Sequence, residues 1–271
     1  MTLNRVVVTG YGVTSPIGNT PEEFWDSLKS GKIGIGPLTK FDTSEYNVHI
    51  AAEIKDFPFD KYFVKKDNNR YDPYSLYALY AAHEAVANAG LDTEKLDSDR
   101  FGVILSTGIG GIKEIEEQVE RMNDKGPKRI RPMALPKALP NMAAGNIAMA
   151  VGANGVCKCV ITACASSNDA LGDAYREIKF GYQDVMLAGG AEAAITPFAI
   201  GGFQALTALS TTEDPARASI PFDKDRNGFV MGEGSGILVL ESLEHAQKRG
   251  ATILAEIVGY GNTCDAYHMT S

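Results

Sequence analysis

Apolar residues along this chain gather into short β-branched runs separated by segments of helical period. Arg5–Thr9, Phe101–Thr107, Val156–Thr162, Val185–Gly189 and Ser235–Glu241 read as strands. Continuous apolar runs of this length, bounded by glycine, suit strands buried on both faces. Ile253–Tyr260 begins one more. Between them lie helical patterns at Glu22–Lys29, Pro73–Ala89, Ile112–Met122, Asn141–Val151, Ala165–Phe180 and Leu243–Gly250. Thr20-Pro21 caps the first of these and Gly90 stops the second. The apolar positions of Pro73–Ala89 cover more than one face, which predicts a buried helix. Ile112–Met122 is charged and predicts a solvent-facing one. Residues 31–72 read as a long irregular stretch, which suggests function or partner contact. Gly126–Pro140 carries four prolines and predicts no regular structure. Strands alternating with helices predict an α/β fold on a largely parallel sheet.

Composition narrows the class. The chain has 271 residues, a net charge of −8 and four cysteines at irregular spacing. That length holds one large α/β domain or two small ones. The acidic balance argues against nucleic acid or an anionic membrane as the main partner. No apolar run is long enough to span a bilayer, and Met1–Val8 does not read as a signal peptide. The cysteines do not form a disulfide framework, so the expected compartment is the cytoplasm.

Chemistry concentrates at Thr162-Ala163-Cys164-Ala165-Ser166-Ser167. A β-branched run leads in and a helical pattern leads out. Cys164 should therefore sit exposed at a strand-to-helix turn, its sulfur near a helix N-terminus. The partial positive charge there favours thiolate, hence a nucleophile. A small buried core thiol fits the same position. Other motifs carry less. Gly10-Tyr11-Gly12 and Gly108-Ile109-Gly110 follow strands, but the third position of a dinucleotide fingerprint falls on Ser15 and Lys113. Tight turns needing positive φ explain these glycines better. Cys157-Lys158-Cys159 lacks a second ligand pair for a metal, so core packing is expected. None of His49, His83, His245 and His268 has an obvious role as a base, although His268 is placed where it could line a site. Basic residues cluster at Lys65, Lys66 and Arg70, and again at Lys125, Lys128, Arg129 and Arg131. Both clusters fit a solvated surface or the docking of an acidic protein.

Four stretches resemble the β-ketoacyl-[acyl-carrier-protein] synthases, the elongating condensing enzymes of type II fatty-acid synthesis within the thiolase superfamily. They are Thr162–Ala170, Val6–Asn19 (VVVTGYGVTSPIGN), Pro221–Gly234 (PFDKDRNGFVMGEG) and Asp265–Thr270. The resemblance runs the whole chain in order. It implies a thiolase-like fold of αβαβα layers built from two similar halves. Residues 1–251 would be the first half and 252–271 the truncated beginning of the second. It implies that Cys164 accepts an acyl chain from the carrier's phosphopantetheine, and that malonyl-carrier then decarboxylates and attacks the thioester. It implies no dissociable cofactor and no metal. Ile109 matches the bottom of the family's acyl pocket and Phe203 another wall, though each also fits a plain core role. Met133 lies in the segment by which a homodimer partner closes that pocket. Lys65, Lys66 and Arg70 match the docking surface for acyl carrier protein, and Thr270 a residue near the malonyl and pantetheine site.

The family's catalytic histidines, its active-site lysine and the second oxyanion donor lie in the half that this sequence hardly enters. The chain thus corresponds to the N-terminal two-thirds of such a protein, and alone it should not condense. Its last strand would have no neighbour to pair with. Competing readings are a starter-unit synthase or degradative thiolase, a polyketide ketosynthase, a non-catalytic chain-length-factor-like partner, and a cysteine hydrolase or amidotransferase. The nucleophile argues against the partner, and the Pro221–Gly234 motif against the hydrolase.

Overall fold

The computed structural model describes residues 3–268. Its strands are β1 (Val6–Thr14), β2 (Gly36–Pro37), β3 (Ile50–Ala51), β4 (Phe101–Ser106), β5 (Cys157–Val160), β6 (Val185–Glu192), β7 (Gly234–Ser242) and β8 (Ala255–Ile257). Its α-helices are α1 (Pro21–Ser30), α2 (Pro73–Asn88), α3 (Ile112–Lys125), α4 (Ala134–Ala138), α5 (Met142–Val151), α6 (Ser166–Lys179), α7 (Pro197–Ala205), α8 (Pro215–Ala218) and α9 (Leu243–Lys248). Six strands form one sheet in the order β5-β4-β6-β7-β1-β8, and β2 pairs with β3 apart from it. Helices α2 and α5 cover one face of the sheet, with Tyr74, Tyr80, Phe101, Leu105, Ile147 and Leu187 all buried between them. Helix α6 covers the other, packing Ala170, Ala174 and Ile178 on Ile104, Met186 and Leu240. These are the α/β layers expected from the sequence.

The sheet is less parallel than the alternation of elements suggests. Only β5-β4-β6 runs parallel. Strand β7 is antiparallel to both β6 and β1. The reason is the path of the chain after β6. Glu192 ends that strand directly opposite Gly234, where β7 begins, so residues 193–233 stay at one edge and never cross over. Strand β8 also finds a neighbour, contrary to expectation, by pairing Val6 with Ile257 in antiparallel register to β1. The edges are not buried as a wholly enclosed sheet would be: Cys157 on β5 is exposed and Cys159 half-buried, so Cys157 is no core residue.

Gly10 and Gly12 are not turn residues. Strand β1 continues through both, with a bulge between Val8 and Gly10, and neither has positive φ. Their lack of a side chain serves packing. A Cβ on Gly12 would lie 2.0 Å from the Ala81 carbonyl oxygen, and one on Gly10 2.6 Å from the Ala89 Cβ. The alanine-rich face of α2 therefore rests on bare strand backbone. Helix α2 is buried almost all round, as its pattern predicts. In Gly126–Pro140 the prolines do not forbid all structure, since α4 forms over 134–138. Pro136 is its third residue, where a helix has no use for the missing N–H. Helix α3 is not simply solvent-facing: Ile112, Glu114 and Gln118 are buried.

A polar network fixes the β1–β7 seam. The buried Glu241 carboxylate accepts from Thr9, from His245 Nδ1 at 2.5 Å and from both Nε and Nη2 of Arg249, at 2.8 and 2.6 Å. Burial pushes this carboxyl up, but the hydrogen bonds from Arg249, His245 and Thr9 outweigh it and hold the pKa at about 2. A carboxyl lowered from 4.5 contributes stability that is complete above 4.5 and is lost as pH falls through about 2. Glu241→Gln should therefore lose about 3 kcal/mol at neutral pH and flatten the acid limb of the stability curve. Urea unfolding between pH 7 and pH 2 tests this. Parallel curves for the two proteins would contradict it.

Candidate active site

The site is built where β4, β5 and β6 end. After Val160 the chain leaves β5, and residues 161–165 are exposed before Ser166 turns inward to start α6. Ala163, the residue before Cys164, has φ of 50°, a left-handed conformation rare for a residue with a side chain. Such a residue costs about 1 kcal/mol or more and persists only where its surroundings impose it. Here they do. The Ser166 hydroxyl donates to the Ala163 carbonyl at 2.6 Å and accepts the Thr162 N–H at 2.8 Å. The Thr162 hydroxyl donates to Asp169 at 2.5 Å, and the other Asp169 oxygen accepts from Tyr260 at 2.5 Å and Asn262 at 2.7 Å. Ser167 lies 2.9 Å from Ser106 at the end of β4, and Ser106 donates to the Gly189 carbonyl. A Cβ on Gly190 would collide with both serine hydroxyls, at 2.2 and 2.3 Å. Cys164 is thus raised on a tight elbow one residue outside a buried helix start, and its side chain is exposed.

Cys164 opens on a cavity of about 640 Å³. Ile109 and Phe203 are both among its lining residues. Phe203 packs edge-on against Phe229, with ring centroids 5.4 Å apart. Phe229 and Met231 also line the cavity, which gives the Pro221–Gly234 motif a physical role that its sequence alone did not assign. Beneath these residues Leu38, Ile112, Ile195, Ile200, Leu209 and Met231 form a separate apolar cluster that supports the wall. Glu192 is a lining residue that sequence reasoning missed. Its strand runs three residues beyond the predicted end at Gly189, and a carboxylate just past a buried strand was the available signal. Burial pushes its carboxyl up, against hydrogen bonds from Gly108, Thr107, Ile109 and Ala193.

Other candidates lie elsewhere. Met133 is 43% exposed beside α4 and does not line the cavity of its own chain. Lys65 and Lys66 are exposed on a short 3-10 turn with Arg70 at its end, and Arg70 Nη1 is 3.7 Å from Asp67. Thr270 lies outside the described residues. None of His49, His83, His245 and His268 is a lining residue, so His268 does not take the place the sequence allowed it. His83 stacks on Tyr62, and burial pushes its pKa down. Among the described residues no cluster of His, Cys, Asp and Glu is placed to hold a metal.

The α/β sheet thus lifts an exposed cysteine on a hydroxyl-braced elbow over a largely apolar pocket. The sequence agrees with a named family: residues 3–246 match the β-ketoacyl synthase N-terminal domain, and the chain belongs to that family. It is 48% identical to 3-oxoacyl-[acyl-carrier-protein] synthase 2 of Synechocystis sp., over 98% of this chain and 64% of that protein. Its likeness to the enzyme of the same name in Staphylococcus aureus (strain COL) is 47%, over 98% and 64%. The chain therefore spans just under two thirds of the length of these relatives. Among solved structures, the ishigamide ketosynthase/chain length factor superposes with a TM-score of 0.90 at 36% identity, over 98% of this chain and 65% of that one. A type II polyketide ketosynthase, solved with its acyl-carrier protein and bound to a hexaketide, gives 0.88 at 37%, over 99% and 65%.

The elbow geometry predicts an order of thiol reactivity. Cys164 is exposed, whereas burial pushes the Cys159 thiol up. Native-state alkylation with iodoacetamide, read by peptide mapping, should modify Cys164 well before Cys159. Equal rates would mean that the elbow is not presented as described.

Proposed function

We propose that the protein carrying this chain is a 3-oxoacyl-[acyl-carrier-protein] synthase of fatty-acid elongation, with Cys164 as its acyl-accepting nucleophile. The observation that carries this reading is the exposed Cys164 on its elbow, opening directly on the cavity walled by Ile109, Phe203 and Phe229. In the first step the Cys164 sulfur attacks the carbonyl of an acyl thioester on phosphopantetheine. The new carbon–sulfur bond forms as the old one breaks, and the pantetheine thiol leaves with the proton. The acyl tail then occupies the apolar cavity. In the second step malonyl-carrier loses carbon dioxide, its carbanion attacks the Cys164 thioester, and the carbon–sulfur bond breaks to release the Cys164 thiolate, which takes a proton from solvent. The product is a 3-oxoacyl-carrier longer by the two carbons malonate contributes. The Cys164 N–H, at the helix start, is one donor to the oxyanion of each tetrahedral step. No dissociable cofactor or metal enters this scheme.

No histidine lines the cavity among the described residues, so the 271 residues alone are assigned acyl acceptance and not condensation. In this reading residues 1–251 are the first half of the fold and 252–271 open the second. Thr270 belongs to the malonyl side. The working form is a homodimer. Strand β5 is an unpaired sheet edge, and exposed Met133, Leu135, Leu139, Met149 and Ile161 offer apolar surface to a second copy. Met133 would then serve the partner's cavity and not its own. Lys65, Lys66 and Arg70 supply positive charge for the acidic carrier protein. No helix among the described residues is long and apolar enough to cross a membrane, and we assign the protein to the cytoplasm.

A polyketide ketosynthase is the second reading, favoured by the likeness to the two polyketide-type structures. It shares the chemistry and differs in the acyl chain. A non-catalytic chain-length-factor-like subunit is disfavoured by the nucleophile.

Cys164→Ala in the full-length protein should abolish the covalent acyl adduct that intact-mass spectrometry detects after incubation with an acyl-carrier thioester. Persistence of the adduct in that variant would falsify the assignment. Loading by saturated acyl chains but not by polyketone chains supports the fatty-acid reading over the polyketide one. Reversing Lys65, Lys66 and Arg70 to glutamate should weaken carrier binding at least tenfold at low salt, with the difference shrinking as salt rises. Equal affinity of both proteins, measured by calorimetry, would remove these residues from the docking surface.

A further inference from the structure

Residues 107–111 leave β4 with no regular secondary structure to hold them, and Thr107, Gly108 and Ile109 among them form part of the cavity wall. The backbone N–H groups of residues 108–111 are nevertheless engaged. Gly108 donates to Glu192 Oε2 at 2.7 Å, and Ile109 to the same oxygen at 3.2 Å. Gly110 donates to the Thr107 hydroxyl at 3.0 Å, and Gly111 to the Ala138 carbonyl at 3.1 Å. The Thr107 hydroxyl in turn donates to Glu192 Oε1 at 3.2 Å. One carboxylate therefore takes three of the five donors directly and a fourth through Thr107.

The arrangement follows from register. Strands β4 and β6 are parallel, with Ser106 opposite Gly190. Two residues further along each strand, the Glu192 side chain meets the backbone of Gly108. A Cβ on Gly108 would lie 2.8 Å from Glu192 Oε2, so a side chain there would push the carboxylate end aside. A half-buried carboxylate gains from such donors in staying charged, and bonds of this kind are worth about twice a neutral one. Ile109 sits between these anchors, its side chain part of the cavity wall and packed on the apolar cluster beneath. Ile109 is only partly buried, and the bond from its N–H to Glu192 adds to the hold of its own packing.

We propose that Glu192 is a positioning residue that sets the depth of the acyl cavity, by clamping the Gly108–Ile109 backbone so that Ile109 forms a fixed end wall. This rests on the acyl-transfer reading above and adds a residue that controls chain length without being the wall itself. With the clamp weakened, residues 108–109 move away and the cavity lengthens. A carboxylate that instead touched the substrate would alter acceptance of every chain by a similar factor.

The test is the rate of Cys164 acylation in the full-length protein, as kcat and KM separately, for a short-chain and a long-chain acyl-carrier thioester. Glu192→Gln keeps the shape but presents a single acceptor oxygen and an amide that competes with the Thr107 hydroxyl. It should raise the long-to-short ratio of kcat/KM by about tenfold, the effect of losing one charge-assisted hydrogen bond. Gly108→Ala displaces the same carboxylate from the opposite side and should shift the ratio in the same direction. The double variant should shift it no further than the larger single one. If Glu192→Gln fails to fold by circular dichroism, Gly108→Ala decides the matter alone. An unchanged ratio in the folded variants overturns the proposal, as does a uniform rise in KM across chain lengths. Absence of any acyl adduct on wild-type Cys164 overturns the acyl-transfer reading itself, and the clamp's function with it.

Discussion

Everything at the site is hung from the contact between helix α2 and strand β1. The two meet at backbone distance because Gly10 and Gly12 face alanines, and neither strand residue could carry a side chain. That approach seats α2 across the sheet and leaves its first residues at the end where β4 and β6 stop. Asp72 caps the helix there, accepting the Tyr74 N–H at 3.3 Å. Its second oxygen accepts the Glu114 N–H at 3.2 Å, inside the first turn of α3. Burial pushes the Asp72 carboxyl up to about 6, against these hydrogen bonds and the nearby charge of Lys137. The Glu114 carboxylate pairs with Lys137 of α4, both nearly fully buried. Next along α4 is Ala138, whose carbonyl holds Gly111. A packing contact in the sheet is thus relayed, one buried polar group at a time, to the wall beside Ile109.

The nucleophile and the pocket are built by opposite means. Around Cys164 the structure spends hydroxyls: Thr162, Ser166, Ser167 and Ser106 each hold a neighbour through short hydrogen bonds. They hold Ala163 in a conformation it would not choose, and the cysteine is carried outward as a result. Around the cavity it places aromatic and branched side chains, Phe203 on Phe229 and the cluster below them. Glu192 is the one carboxylate among these lining residues, and it is spent on the backbone amides of Gly108 and Ile109.

How much of this was written in the sequence depends on how far each residue's cause lies from it. The turn position of Cys164 was legible because strand, turn and helix are contiguous, but its choice between nucleophile and core thiol rested on the resemblance. Ile109 and Phe203 were found only through the resemblance, since an apolar residue in a wall looks like one in a core. The glycines of β1 were misread as a turn because what excludes their side chains is Ala81 and Ala89, 69 residues on from Gly12 and 79 on from Gly10. The direction of β7 depends on a connection of forty residues that carries no strand pattern. Glu192 went unnoticed for the same reason: its partners are 83 to 85 residues earlier.

Asp169 joins Thr162 of the elbow to Tyr260 and Asn262, and the tyrosine ring lies flat over Gly172 with the Arg176 guanidinium 4.9 Å from its centre. Tyr260 is 91 residues later in the chain than Asp169. On a ribosome that adds a few residues each second, Cys164 leaves the tunnel well before the groups that brace its turn. The nascent protein therefore passes through a period in which the thiol is already made but its turn is only half tied. The braces on the reactive turn are complete only once the last strand of the sheet has also been made.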